Sequence, residues 1–173
     1  LYAYDLEEQA LLPGSLALNN APSALATSPG KRFVLAMQPN ANQVQIIDGG
    51  LYRHDDHVDE VAPGLVGTLT GPRPTHYRVH GEQAALFYDG DAGSALMAQV
   101  QVLTDHSLES ATMEADHTFA SAHHGVAEPR GEIVLATHRT AASGLPEKVD
   151  ILHQHGDHYH GEGTISLDCP DLH

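Results

Sequence analysis

Histidines crowd one short stretch of the chain, 153–160, which holds four imidazoles and one carboxylate within eight residues. Every buried imidazole needs a hydrogen-bond partner, so a packed core does not favour such a composition. Neutral imidazole and carboxylate are, in contrast, common ligands of zinc. The stretch therefore predicts a metal-binding segment. Its candidate ligands are His153, His155, Asp157, His158 and His160.

The overall composition also favours a cation as the ligand. The 14 histidines outnumber the 8 lysines and arginines, and the formal net charge is −15. A surface this acidic attracts cations and repels nucleic acid and anionic lipid. The single cysteine, Cys169, excludes an internal disulfide and a Cys-rich zinc finger. We expect zinc as the cofactor, no nucleic-acid partner and, because no run of about 18 apolar residues occurs, no membrane span.

The elements that must position these side chains are β-strands. Short runs rich in Val, Ile, Leu and Ala alternate with Gly, Pro, Asp and Asn, and no segment keeps a helical apolar period. A repeating cadence of strand, turn, strand, polar loop and strand predicts an all-β chain, a β-propeller of four-stranded antiparallel blades. The expected parts are a partial blade at 1–20, full blades at about 21–70, 71–115 and 116–167, and the start of a further blade at 168–173. The fourth strand of the second full blade is expected at 110–114.

Three full blades do not close a ring, because small propellers have about four to eight blades. We therefore expect this chain to be about half of a single propeller domain. Its partner would be the remainder of the same propeller or a second fragment of it. A self-contained β-sandwich is the alternative fold.

Three histidines recur at one place in the predicted repeat. With first strands expected at 75–80 and 119–124, His80 and His124 each precede a glycine, and His173 ends the third copy. The intervals of 44 and 49 residues are close to one blade. First strands line the channel of a propeller, so the repeat predicts a tight zinc site made by His80, His124 and His173. The alternative is that these histidines only shape the turn after the strand.

The histidine-rich stretches occupy a second repeated position, between third and fourth strands. The stretch at 153–160 and a shorter one at 54–60 both lie there, on the face that carries the predicted tight site. We expect 153–160 to be a mobile loop with weaker ligands that loads or unloads the tight site. The alternative is a solvated acidic loop that binds metal only incidentally.

Three segments carry a family resemblance. They are the sequence Phe-Ala-Ser-Ala-His-His-Gly-Val at 119–126, Cys-Pro-Asp-Leu-His at 169–173, and the His/Asp-rich loop. With these segments and the blade cadence, the chain resembles the AztD-type periplasmic zinc metallochaperones. That resemblance implies a seven-bladed ring, a tight histidine-based zinc site, a loop that aids transfer, and a periplasmic location. It also implies a partner, the zinc-binding solute-binding protein of an ABC importer.

The expected function is therefore the binding and transfer of zinc, without catalysis. Transfer would occur by exchange of ligands between donor and acceptor. Two alternatives from other classes stay open. A metal-dependent propeller hydrolase of the lactonase kind would need an open coordination position beside a substrate pocket. A non-catalytic interaction platform would need no stoichiometric metal.

Overall fold

The computed structural model describes residues 1–12, 14–53, 56–139 and 146–167. Nearly all the regular structure in these ranges is β-strand, so the prediction of an all-β chain is confirmed. The helices are short: α1 spans Asp105–Leu108, and two single-turn 3₁₀ helices span Pro39–Ala41 and Ala92–Ser94. Within the described ranges, no helix has the length and apolar character needed to cross a bilayer.

The first part of the chain forms one four-stranded antiparallel sheet and two small hairpins. Its strands are β1 (Tyr4–Asp5), β2 (Ala10–Leu11), β3 (Ala24–Thr27), β4 (Phe33–Gln38), β5 (Gln43–Asp48), β6 (Leu51–Arg53), β7 (Val58–Glu60) and β8 (Gly64–Thr70). The sheet has the order β3-β4-β5-β8, and it is called the first unit below. The hairpin of β6 and β7 is inserted between its last two strands.

The second part forms an eight-stranded sheet. Its strands are β9 (Pro74–His80), β10 (Gln83–Tyr88), β11 (Gln99–Leu103), β12 (Ala115–Thr118), β13 (Ala127–Arg130), β14 (Ile133–His138), β15 (Lys148–His155) and β16 (His158–Ser166). Strands β9 to β12 form an antiparallel second unit, and β13 to β16 form a third. One parallel pairing, of Asp116 with His158, joins the outer strands β12 and β16 of these units.

The second unit is covered on both faces. Leu86 and Tyr88 of β10 pack with apolar side chains of the first unit, whereas Ala85 and Phe87 pack with those of the third. All four side chains are buried, and their alternation follows from the two-residue period of a strand. The three units are therefore stacked face to face, and the first strands of the second and third units, β9 and β13, contact each other.

Two strands lie elsewhere than the sequence predicted. The last strand of the second unit is β12, not 110–114, because a capping box between Thr104 and Ser107 starts helix α1 and delays the strand. The first strand of the third unit is β13, and 119–124 is not a strand. That second difference moves His124 from the end of an inner strand to the connection that precedes one.

The stretch 153–160 is a β-hairpin, so the prediction of a mobile loop is wrong. Strands β15 and β16 pair along their full length and meet at a two-residue turn, Gly156 and Asp157. Gly156 has a φ of +67°, which the first central residue of a primed hairpin turn requires. The alternation of imidazoles with Gln154 and Tyr159 is the two-residue period of paired strands.

Candidate metal-binding site

Two imidazoles meet at the boundary between the second and third units. His76 is near the start of β9, and His124 lies in the connection from β12 to β13. Their Nε2 atoms are 3.1 Å apart, and their ring centroids are 4.8 Å apart at 57°. Zinc–nitrogen bonds of about 2.0–2.1 Å in tetrahedral geometry place two ligand nitrogens about 3.3 Å apart. The pair therefore has close to the spacing of two imidazoles that share one zinc ion.

A carboxylate behind His124 fixes the orientation and tautomer of that ring. Asp89 Oδ2 lies 2.8 Å from His124 Nδ1, and the aspartate side chain is only 15% exposed. A proton held on Nδ1 by this contact leaves the lone pair of Nε2 free and directed toward His76. The hydroxyl of Thr75 donates to the same carboxyl group through Oδ1. Carboxylate, histidine and metal position are thus arranged in line, as they are in many zinc proteins.

The backbone around Asp89 holds both sides of the pair. Asp89 follows β10, and its N–H donates to the carbonyl oxygen of Arg73 at 3.1 Å, just before β9. Its own carbonyl oxygen accepts from His123 N–H at 2.9 Å. One residue therefore fixes the start of the strand that carries His76 and the segment that carries His124.

His123 anchors that segment in the core. The residue is 2% exposed, and its ring packs edge-on against Phe87 and Phe119, at centroid distances of 5.5 and 4.8 Å. Its two ring nitrogens face the carbonyl oxygens of Ser121 and Thr137. Desolvation lowers the pKa of His123, so the buried ring is neutral near pH 7. The outward-facing neighbour, His124, is left with a fixed backbone beneath it.

The glycine after the two histidines is needed for space. A Cβ on Gly125 would lie 2.6 Å from Cζ of Phe87 and 2.9 Å from Oγ1 of Thr137. Real Cβ atoms do not approach other heavy atoms so closely, so only glycine fits here without rearrangement. The three residues of the sequence His-His-Gly therefore have different roles. His123 anchors the segment in the core, His124 faces outward, and Gly125 allows the backbone to pass close to Phe87.

His76 is electrostatically prepared to bind a cation as a neutral ligand. Partial burial lowers the pKa of His76, and the neighbouring His124 ring lowers it further, against the opposing effect of Asp89. The ring is therefore mostly unprotonated at neutral pH, the form that coordinates metal. His124 is 55% exposed, which leaves room for another ligand to approach from solvent.

The predicted zinc site of His80, His124 and His173 stays a prediction, and the structure places His80 at the opposite end of β9 from His76. His80 is the last residue of β9, exposed, and opposite Gln83 across the turn that contains Gly81. It is four residues beyond His76, which corresponds to about 13 Å along a strand. Within the described residues, the structure brings the ring of His76 into contact with that of His124. His173 lies outside the described residues, as does Cys169.

His76 and Asp89 are the site residues that sequence reasoning missed. The sequence did contain a signal for the correct strand alignment. The same dipeptide, Gly-Glu, forms the turn after β9, at 81–82, and the turn after β13, at 131–132. Aligning the repeat on these two turns makes Arg130 the counterpart of His80 and places His124 before the strand. The start of β9, where His76 lies, then becomes the expected neighbour of His124.

The remaining predicted ligands all lie on the β15–β16 hairpin. His153 pairs with His160 and His155 with His158 across the strands, so the four imidazoles share one face. Asp157 is in the turn, exposed, with Oδ1 at 3.2 Å from Nδ1 of His158. Their role in metal binding stays a prediction. Of the stretch 54–60, His54 and Asp55 lie outside the described residues, and His57 Nδ1 lies 2.8 Å from Asp56 Oδ1.

Solved structures of similar fold are known for this chain. No family model matches the chain. A structure of apo AztD from Citrobacter koseri is similar to it, with a TM-score of 0.77 and 24% sequence identity over 99% of this chain. A further crystal structure of Citrobacter koseri AztD gives a TM-score of 0.78, again with 24% identity and 99% coverage.

The chain has the AztD fold. The predicted resemblance is thereby confirmed for the fold over 99% of the chain. The chain spans 44% and 45% of the length of the two AztD chains, slightly less than half.

Proposed function

We propose that this chain is part of a zinc metallochaperone that holds a zinc ion and passes it to a zinc-binding solute-binding protein of an ABC importer in the periplasm. One observation carries the proposal, the 3.1 Å approach of the Nε2 atoms of His76 and His124 with Asp89 behind the second ring. The AztD fold of the chain supports it. Zinc is the cargo, and the imidazole pair is the part of the chain that binds it.

We further propose that the three stacked units are three blades of a β-propeller, which the rest of the same propeller completes to seven blades. The four-stranded antiparallel order of each unit and the face-to-face packing support this arrangement. In such a ring the start of β9 lies beside the connection before β13, as His76 and His124 do. The predicted third ligand, His173, would come from the corresponding place of the next blade, and His76 replaces His80 in the site.

Transfer would proceed by exchange of one ligand at a time. His124 is half-exposed, so an imidazole or carboxylate of the acceptor can reach the ion before the donor's bonds are broken. Asp89 keeps the His124 ring oriented while its partner ligands change. The net charge of −15 concentrates cations near the surface, which favours capture of the ion again if transfer fails.

The surroundings of the imidazole pair fit the binding and transfer of a metal ion better than they fit the hydrolysis of a substrate. Three cavities in the described part of the chain are lined by residues other than His76 and His124. One of them, a mainly apolar cavity of about 480 Å³, lies between the N-terminal segment and the first unit. A lactonase-like enzyme would instead need its substrate pocket beside the metal.

The test is a transfer assay between the zinc-loaded protein and a metal-free solute-binding protein, in the presence of a chelator that traps free zinc. Direct exchange predicts that the acceptor fills despite the chelator and that the rate rises with acceptor concentration. The His106→Ala variant, which removes an exposed imidazole from helix α1, is the matched control and should behave as wild type. Complete interception of zinc by the chelator would show release into solution and overturn the proposal.

A further inference from the structure

The face of the β15–β16 hairpin that carries the imidazoles is organised by strand register alone. Cross-strand partners point to the same side of a hairpin, and residues two apart do so as well. The centroids of His155 and His160 are 4.2 Å apart, those of His158 and His160 are 4.8 Å apart, and those of His153 and His155 are 5.4 Å apart. Four rings therefore form one contiguous patch, called the hairpin patch below.

A carboxylate completes the patch. Glu162 is the extra residue of a bulge, because Gly161 pairs with Leu152 and Gly163 with the preceding residue, Ile151. Its Oε1 lies 3.9 Å from Nδ1 of His153. One ligand atom each of His153, His155 and Glu162 lies within 4.8 Å of the other two. Three donors this close can contract onto one ion through small side-chain rotations.

One ring nitrogen of His153 lacks a hydrogen bond, and a bound ion would give it a partner. Its Nδ1 is buried and has no hydrogen-bond partner in the described structure. The separation of 3.9 Å from Glu162, and that of 3.8 Å between Nε2 and Glu132, are both too long for hydrogen bonds. A buried nitrogen without a partner is costly, and a metal bond to Nδ1 would remove that cost.

The other face of the hairpin holds the patch in place. The ring of Tyr159 is buried in the core between the second and third units, and its carbonyl oxygen lies 2.8 Å from Nδ1 of His117. The side-chain amide of Gln154 donates to the carbonyl oxygen of Gly156 across the turn. The backbone under the imidazoles is therefore fixed before any ion binds, and binding orders only side chains.

We propose that the hairpin patch is a second metal site, in which His153, His155 and Glu162 bind a late first-row divalent cation such as Zn²⁺, Cu²⁺ or Ni²⁺. Imidazole nitrogens with one carboxylate oxygen are the donors that these ions prefer over Mg²⁺ or Ca²⁺. His160, next to His155, supplies a fourth donor. The site shares no residue with the His76–His124 pair and does not depend on the proposed function.

The test separates the two sites by mutation and counts bound Zn²⁺. A His76→Ala/His124→Ala variant lacks the first pair, and we expect it to retain one Zn²⁺ per chain, measured by titration calorimetry and metal analysis. Adding His153→Ala and His155→Ala should remove that ion. The inference is overturned if the first variant already binds none, or if the fourfold variant still binds one.

Cu²⁺ then probes the ligand set by electron paramagnetic resonance. With the first pair removed, we expect splitting from at least two imidazole nitrogens, and His153→Gln should remove one of them. Glu162→Gln, of nearly the same shape, should weaken Cu²⁺ binding by about tenfold, since an amide is a poorer ligand than a carboxylate. His106→Ala is the control. Unchanged spectra and affinity in both hairpin variants would place the ion elsewhere, and circular dichroism of each variant tells loss of ligands from loss of fold.

Discussion

His76 and His124 reach each other from positions 48 residues apart, whereas the imidazoles of the hairpin patch come from eight consecutive residues. The first pair exists only because the second and third units pack together and because Asp89 ties their backbones. The hairpin patch depends on a correct two-residue turn and strand register, with Tyr159 anchoring the other face of the hairpin in the core. The first pair also has a carboxylate that orients a ring, and the patch has a carboxylate that can itself be a ligand.

This difference in construction shows what each site can do. Rings fixed by a packed core and by a carboxylate keep a set geometry, which favours tight binding of one kind of ion. Exposed rings on a hairpin adapt to the ion and exchange it more easily. Perturbation of the contacts of Asp89 should therefore weaken the first site and spare the second, and perturbation of the hairpin turn should do the reverse.

The largest expected effect is that of His124→Ala. It removes one imidazole of the first pair and leaves Asp89 without its partner, so zinc affinity at this site should fall by more than about 100-fold. Chelator-competition titrations would measure the loss, and the hairpin patch should keep its ion. Loss of both ions together would show that the two sites are not independent.

Asp89→Asn should have the next largest effect. The amide retains the shape of the side chain but no longer fixes the proton on Nδ1 of His124, so zinc affinity should fall by about 10–100-fold. Asp150→Asn is a matched control, because Asp150 makes the same 2.8 Å contact with His138, which is not a member of the pair. Equal zinc affinities of the two variants would show that Asp89 does not contribute to zinc binding.

Gly156→Ala tests the dependence of the hairpin patch on its turn. An L-residue at a φ of +67° costs about 1–2 kcal/mol, so the turn should loosen and metal binding at the patch should weaken several-fold. Gly131→Ala imposes the same strain in the β13–β14 turn, where φ is +72°, and serves as the control. If both variants bind metal equally well at the patch, its preorganisation is unimportant.

The smallest effect concerns the buried anchor of the first site. Because burial lowers the pKa of His123, the unfolded chain binds a proton there before the folded chain does. The free energy of unfolding of the metal-free protein should therefore fall as pH drops below about 6.5, the pKa of a free histidine. His123→Gln keeps hydrogen-bonding groups without titrating, and its pH dependence, measured by urea unfolding, should be shallower. An unchanged slope would contradict the assignment.

The sequence predicted the fold class because period-two apolar runs and turn residues are local signals. It could not place β12, since the Thr104–Ser107 capping box that delays this strand is a short feature inside a polar connection. It misjudged 153–160 for a related reason: an alternation of histidines with Gln154 and Tyr159 has the period of a strand but the composition of a loop.

For the site, the sequence pointed to His124 but not to its partner. The partner depends on which ends of β9 and β13 lie side by side, and that is decided by the packing of two units. A shift in the assumed strand by a few residues was enough to exchange His76 for His80. Asp89 could not be distinguished from other acidic residues without the hydrogen bonds that the fold gives it.

The most direct measurement is a crystal structure of the zinc-loaded protein with anomalous diffraction recorded on both sides of the zinc absorption edge. We expect an anomalous peak about 2.0–2.1 Å from the Nε2 atoms of both His76 and His124, with Asp89 still hydrogen-bonded to Nδ1 of His124. Zinc bound elsewhere, with the two Nε2 atoms still in contact with each other and no ion between them, would contradict it.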